Sequence, residues 1–487
     1  MRETPTAAGW ITERWGSRAI LAALLLLLAW IPIPLGSNRP LSWAWLEFAS
    51  YALLGVRCLL PLNEESRNLL RQWRTPLVLL GLWLLYVLIQ SLPLPAGWIQ
   101  TLSPARYELN VFTLGPAGYL SLSVDSGATQ TELLKYGAYV SLLLLVLMTV
   151  TNRERLLLSV TVIFIVGAAE SLYGILERFA VLGGGVAGNV NGIVTKAATG
   201  TFVNRNHYAS FLAMTMPLGI SHILFLGHQG GRGAAKGMKS KAAALADRMM
   251  GQSTLVIAGL GAMSLALLLS TSRGAVFALV TALCVGFAVA LWARGREAPE
   301  RRLLPVLALL VAIAVWYGGA GISARLGLGT LLADERLLQW GMSFRMIAAA
   351  PAFGFGAGTY VTVFPAYINN AVRPLTYDHA HSDFIETMAE QGFVGVALLA
   401  AAVSWMLIRM IKAYAERRDA LMLSVLFAVL VGATAALVHA ALDFPFRIPA
   451  NAAYFFVLLG LGLQATVLPG RRSVAAIEKT RKNAAHR

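Results

Sequence analysis

Charge is what this chain has least of. Asp, Glu, Lys and Arg make up only 13% of its 487 residues, where a soluble domain carries about 25%. That excludes a string of soluble globular domains. Cysteine is nearly absent too: Cys58 and Cys284 are the only two, each in or beside a separate apolar run. No disulfide framework and no Cys/His zinc spacing can be built from them, and each is expected as a small buried hydrophobe. There is no Walker loop, no pair of metal-binding carboxylates of the DxD type and no serine nucleophile elbow. The net charge is +16, but no basic stripe with interleaved aromatics accompanies it, so nucleic acid is not implied as a partner. No internal repeat or low-complexity tract occurs.

What the chain has in abundance is long apolar runs, with 57% of its residues hydrophobic. Candidate spans fall at about 19–35, 43–61, 75–94, 135–151, 157–177, 207–227, 253–271, 274–293, 303–320, 393–413, 421–440 and 449–468. Each approaches the length of about 20 residues that crosses a bilayer as helix. The fold class read from this pattern is an all-α polytopic membrane protein of about twelve transmembrane helices with a large periplasmic loop. The first run, Ala19 to Leu35, is long for a signal-peptide core and is followed by no small-residue cleavage site, so it is expected as a retained first helix. An even number of spans puts both termini on one side. With the termini inside, the inner loops and tail hold most of the 40 basic residues, as the positive-inside rule requires.

The layout that follows is a cytoplasmic N-terminus over 1–18 and helices one to nine over 19–320, with outer loops at 95–134 and 178–206. The large outer loop is 321–392, helices ten to twelve cover 393–468, and 469–487 is a basic cytoplasmic tail. Loop 95–134, with Trp98 among prolines, suits an irregular segment anchored by aromatics that includes an interfacial helix. The inner loop 228–250 is rich in Gly and Lys.

Polar chemistry concentrates between Asp334 and Gly395 and at two span boundaries. Arg273, in LLLSTSRGAVFAL, is either a snorkelling cation or a functional one; an arginine at an outer boundary among three hydroxyl side chains favours function. Arg205, in TFVNRNHYASF, can open a helix, with Asn206 as a candidate cap. Arg336 and Arg345 lie on an amphipathic stretch that Asp334 and Glu335 begin. In YDHAHSDFIE, His379 and His381 can form a metal pair only in extended backbone. Alternatively His381 caps a helix, or it serves as a general base whose ring Asp378 or Asp383 orients. The glycines of FGFGAGTY lack the strand–loop–helix setting of a phosphate loop and read as a tight turn.

The segments TFVNRNHYASFL, STSRGAVFAL, RLLQWGMSFRMIAAAPAFGFGAGTY, HAHSDFIETMAEQGFVG and ALDFPFRIPANA resemble, in content and order, the O-antigen ligase/polymerase family of bacterial membrane glycosyltransferases. The resemblance implies a GT-C-like bundle of twelve helices in the inner membrane. It also implies transfer of a glycan from undecaprenyl diphosphate to a hydroxyl of lipid A–core or of a growing polysaccharide, without metal or other cofactor. Carried over by position, the catalytic histidine is His381, and the diphosphate is held by Arg273 and Arg336, with Arg205 counted beside them. Asp378, His379 and Asp383 are the supporting residues. Ser382 stands where the family has Asn. A polymerase of the same family is the nearest alternative. A transporter or flippase is the other, and it predicts ionisable residues within the spans.

Overall fold

The computed structural model describes residues 7–61, 64–179, 197–230, 252–295, 300–301, 304, 308, 335–368 and 377–470. Sixteen helices are numbered here in chain order: α1 Ala7–Trp30, α2 Pro40–Leu59, α3 Glu64–Gln72, α4 Arg74–Ser91, α5 Ala96–Leu102, α6 Pro104–Leu114, α7 Ser126–Thr149, α8 Arg153–Arg178, α9 Arg205–Gly230, α10 Gln252–Leu269, α11 Arg273–Arg294, α12 Glu335–Ala349, α13 Tyr360–Val363, α14 Asp383–Glu416, α15 Ala420–Leu442 and α16 Pro449–Val467. Two short strands, β1 Leu94–Pro95 and β2 Tyr119–Leu120, pair antiparallel around α5 and α6.

The helix starts are written locally. Asp125 accepts from the Ala128 N–H at 3.0 Å and Asn152 from the Arg155 N–H at 2.9 Å. Asp419 accepts from the Leu421 and Met422 N–H groups at 3.1 and 3.2 Å. These side chains satisfy donors that a helix leaves free. Pro40, Pro104 and Pro449 occupy first helical positions, where proline costs no hydrogen bond.

Eight of these helices, α4, α7, α8, α9, α11, α14, α15 and α16, are long and apolar enough to cross a membrane, and α1 and α10 contain shorter apolar helices. The protein is an all-α, multi-pass membrane protein. Eleven of the twelve expected spans coincide with helices; the span expected at 303–320 lies almost wholly outside the described residues. Helix α7 begins nine residues before the expected 135, because the Asp125 cap starts the helix within polar sequence that reads as loop. Residues 96–114 are likewise two helices and not irregular chain. Cys58 and Cys284 are free, as expected, but both are exposed on outward helix faces and not buried: a hydrocarbon surround accepts a thiol as readily as a core does.

Helices α15 and α16 form the centre, with 83% and 89% of their most apolar windows buried. Around them stand α9, α11 and α14 against α15, and α7 against α16. At one end of the bundle arginines tie the helix termini. Arg153 pairs with Asp419 at 2.5 Å, Arg294 donates to the Arg417 carbonyl at 2.7 Å, and Arg417 donates to the Leu468 carbonyl at 2.6 Å.

The other end carries α12, α13 and the loop glycines. Helix α14 breaks at Gly392 (φ 61°), and the N–H groups of Phe393 and Val394 turn to the carbonyls of Pro351 and Ala352 at 2.8 and 3.1 Å. In return the Phe355 and Gly356 N–H groups reach the Ala389 and Glu390 carbonyls at 3.1 and 2.7 Å. Gly354, Gly356 and Gly358 all have positive φ, so FGFGAGTY is a backbone turn locked onto the kink. The break divides the polar segment 383–391 from the apolar remainder of α14, where the expected loop gives way to span. Gln90, at the end of α4, fastens the same junction through the Phe353 and Glu390 carbonyls at 2.8 and 3.1 Å.

Candidate active site

The turn between α15 and α16, Asp443-Phe444-Pro445-Phe446-Arg447, is the floor of the polar end. Phe444 is packed by three imidazoles: His379 stacks on it at 4.3 Å between centroids, His207 meets it edge-on at 4.6 Å and His381 edge-on at 5.1 Å. Asp443, which is 2% exposed, receives Asn206 Nδ2 at 2.6 Å, the Phe444 N–H at 3.0 Å and His381 Nδ1 at 3.3 Å. Burial alone pushes the Asp443 carboxyl up. The His381 hydrogen bond and the charges of His207, His439 and Arg336 outweigh that and hold it below the ordinary carboxylate range. An ionised carboxylate only accepts, so His381 Nδ1 carries a proton and Nε2 is the ring nitrogen not engaged by Asp443. The His381 side chain remains 35% exposed, open to a reactant.

His381 sits at φ 51°, in the left-handed region that non-glycine residues rarely occupy. The chain is held there from both sides. Trp340 Nε1 donates to the Ala380 carbonyl at 2.9 Å and Gln339 Nε2 to the His379 carbonyl at 2.5 Å. On the other side the Asp383 N–H donates to the Asp443 carbonyl at 3.1 Å. Ser382, in the position where Asn was expected from the family, caps α14 through the Ile385 N–H at 3.5 Å.

Behind the histidines lies a buried ionic cluster. Arg447, 9% exposed, meets Glu386 at 3.2 Å, Glu390 at 2.7 Å and Asp383 at 3.8 Å. Glu386 also takes His379 Nδ1 at 2.9 Å and the Ala380 N–H at 2.8 Å. Burial lowers His379, and the Glu386 contact overcomes this and raises it above the ordinary histidine value. Among the expected supporting residues, His379 is thus committed to Glu386, and Asp383 faces Arg447 and the Phe446 N–H, 2.9 Å away. Asp378 is exposed. The carboxylate that meets His381 is Asp443, which sequence reasoning passed over. The available signal was an acid directly after a 23-residue apolar helix, where an unpaired charge is costly.

The arginines gather at the same end. Arg336, in the first turn of α12, donates to the Leu442 carbonyl at 3.2 Å, one residue before Asp443. Arg205 opens α9 and donates to Thr271 Oγ1 at 2.8 Å. Arg273 opens α11, is exposed, and makes no hydrogen bond or ion pair among the described residues. Gly274 beside it lies against His439, one turn before Asp443: an added Cβ would come 3.3 Å from the ring. The cap of α9 is Asn204, which accepts from the Asn206 N–H at 2.8 Å. Asn206, expected as the cap, spends its side chain on Asp443. Ser272 Oγ, at the α11 start, is buried without a hydrogen-bond partner among the described residues.

A cation at a helix N-terminus opposes the helix dipole. Two helices that both begin with arginine, joined through Arg205 and Thr271, make an electropositive corner suited to an anion. Among the described residues no group of three or more His, Cys, Asp or Glu is arranged to hold a metal ion. The rings of His379 and His381 lie against Phe444, and each Nδ1 is engaged by a different carboxylate.

Residues 258–400 match the family model described as O-antigen ligase. Over that stretch the chain is similar to the O-antigen ligase family. The match supports assignment to the O-antigen ligase/polymerase family, whose members are membrane glycosyltransferase-like enzymes. It spans Arg273, Arg336 and His381, while Arg205, Asn206 and Asp443 lie outside it. No curated protein sequence matches the chain.

Proposed function

We propose that this protein is a metal-independent, inverting glycosyltransferase of the O-antigen ligase type. It moves a glycan from undecaprenyl diphosphate to an acceptor hydroxyl on the periplasmic face of the bacterial inner membrane. The observation that carries the reading is the His381–Asp443 pair set beside two helix N-termini that begin with Arg205 and Arg273. The diphosphate, dense in negative charge, sits on those guanidinium groups and on Arg336, with the N–H donors of α9 and α11 behind them. His381 Nε2 takes the proton of the acceptor hydroxyl as its oxygen forms a bond to the anomeric carbon. The bond from that carbon to the diphosphate oxygen breaks, and the electron pair leaves with the undecaprenyl diphosphate. One displacement inverts the carbon. Asp443 holds the ring in the tautomer the step requires.

Orientation is read from charge. The ends of α11, α14 and α16 tied by Arg294 and Arg417, with the α8 and α15 starts joined by Arg153, are the cytoplasmic ends, as the positive-inside rule asks, which turns the histidine end outward. Twelve helices with both termini cytoplasmic fit this arrangement.

The test is glycan transfer by the purified chain from a lipid-linked donor. His381→Ala and Arg273→Ala each lower transfer strongly; full activity in either removes the reading. EDTA leaves the rate unchanged, and strong inhibition would replace the arginines with a divalent ion. A deletion strain that retains intact lipid-linked polymer but attaches none is a ligase mutant. Accumulation of single repeat units instead identifies a polymerase.

A further inference from the structure

On the face of the Arg447 cluster turned away from the histidines, a cavity of about 320 Å³ runs between α14 and the pair α7 and α16. Small-molecule sites range over about 300–1,000 Å³. Its α14 wall is Phe384, Thr387 and Gln391 before the Gly392 break and residues between Val396 and Leu407 after it. Beyond the break, Val396 to Leu407 covers roughly 16 Å at 1.5 Å per residue, about half of a bilayer's hydrocarbon core of about 30 Å. Ala400 and Ser404 are exposed, so the slot opens sideways to lipid. The opposite wall is aromatic: Trp83 stacks on Tyr136 at 4.7 Å and is pinned by Gln391, whose Oε1 accepts from Trp83 Nε1 at 2.7 Å. Phe455 and Phe456 continue it.

We infer that this slot holds one hydrocarbon chain of an acylated membrane lipid. The chemistry of its polar end selects the lipid. Asp383 and Arg447 line that end, and Glu386 and Glu390 lie directly behind Arg447. Three carboxylates around one arginine leave no place for a diphosphate next to the chain. The lining hydroxyls of Tyr139 and Thr387 form no hydrogen bond among the described residues. They suit uncharged acceptors such as the ester or amide carbonyls that join acyl chains to a glycerol or sugar. A polyprenyl chain has no such groups and ends in the charge this region repels. The choice of acyl over polyprenyl rests on the reading of Arg205, Arg273 and Arg336 as the diphosphate ligands; the slot itself does not.

The experiment is photolabelling of the full chain in nanodiscs, with peptides mapped afterwards. One probe is a glycerolipid carrying a diazirine in a palmitoyl chain; the other is a diazirine-bearing isoprenyl diphosphate. The acyl probe labels α14 between Val396 and Leu407 well above the exposed Leu82 and Leu85 on the outer face of α4. Ala400→Trp or Ser404→Phe, both at the open side, removes that excess while labelling of α4 is unchanged. Equal labelling of α14 and α4 overturns the slot. Preferential labelling of α14 by the isoprenyl probe overturns the acyl assignment. Neither outcome depends on turnover, so a failure of the transfer reaction is a separate result.

Discussion

His381 Nδ1 and Asp443 Oδ1 lie 3.3 Å apart although 62 residues separate them in the chain. The first residue precedes α14 and the second follows α15, so the pair exists only because two antiparallel helices return to the same end of the bundle. The carboxylate fixes the ring tautomer and the ring works outward. General acid–base groups contribute about 10²–10⁴-fold to rate. His381→Ala is expected to lose all of that. Asp443→Asn, which keeps shape but not charge, lowers kcat by less and leaves KM for the donor nearly unchanged. Steady-state kinetics with a lipid-linked donor decide it; a pure KM effect would make Asp443 a binding group.

Arginine and lysine are expected to differ at position 273. A hydrogen bond to a charged group contributes about 1.5–3 kcal/mol, and the planar fork of arginine matches phosphate oxygens better than an ammonium does. Arg273→Lys therefore raises KM for the donor by about tenfold, roughly 1.4 kcal/mol, and Arg273→Ala raises it further. Competition by inorganic pyrophosphate weakens in parallel. If pyrophosphate competes equally against all three forms, Arg273 does not touch the diphosphate.

Arg447 differs from the arginines proposed to hold the diphosphate. It is buried against Asp383, Glu386 and Glu390, and removing one partner of a buried ion pair costs about 3–5 kcal/mol. Arg447→Met leaves the carboxylates uncompensated and is expected to lower the Tm in detergent strongly, before any question of activity. An unchanged Tm would show that the cluster carries no stability.

Two glycines give opposite signs. Gly392 has φ 61°, and a Cβ there would come within 2.4 Å of the Ala352 carbonyl oxygen. Gly392→Ala pays the left-handed penalty of about 1–2 kcal/mol plus that clash, and it unlocks the loop from α14. Gly341, inside α12, has nothing within 4 Å of an added Cβ, so Gly341→Ala gains about 0.5–1 kcal/mol of helix stability. Thermal unfolding of the two variants should move in opposite directions.

His379 gives stability a pH dependence. Its folded value is raised, since Glu386 prevails over burial. The stabilisation is then complete below the ordinary histidine value of about 6.5 and is lost as pH rises through the higher folded value. The Tm of the native protein should fall over that interval, and the Tm of His379→Gln should fall less. Parallel curves would place the titrating group elsewhere.

The apolar spans and the glycine turn of FGFGAGTY were legible in the sequence, because each is set by residues within a few positions of one another. The family resemblance named His381, Arg273 and Arg336, the polar helix start named Arg205, and all four lie at one end of the bundle. Asp443 was not legible as the partner of His381. Asp378 and Asp383 are nearer in sequence, but Asp383 begins α14 and its side chain turns to Arg447. Nor could Asn206 be told from an ordinary cap before α9 was seen beside the α15–α16 turn. Local hydrogen bonds and hydrophobic length are decided within a segment. Which charge meets which is decided by helix order around α15 and α16, where burial forces every carboxylate to find a partner, however distant along the chain.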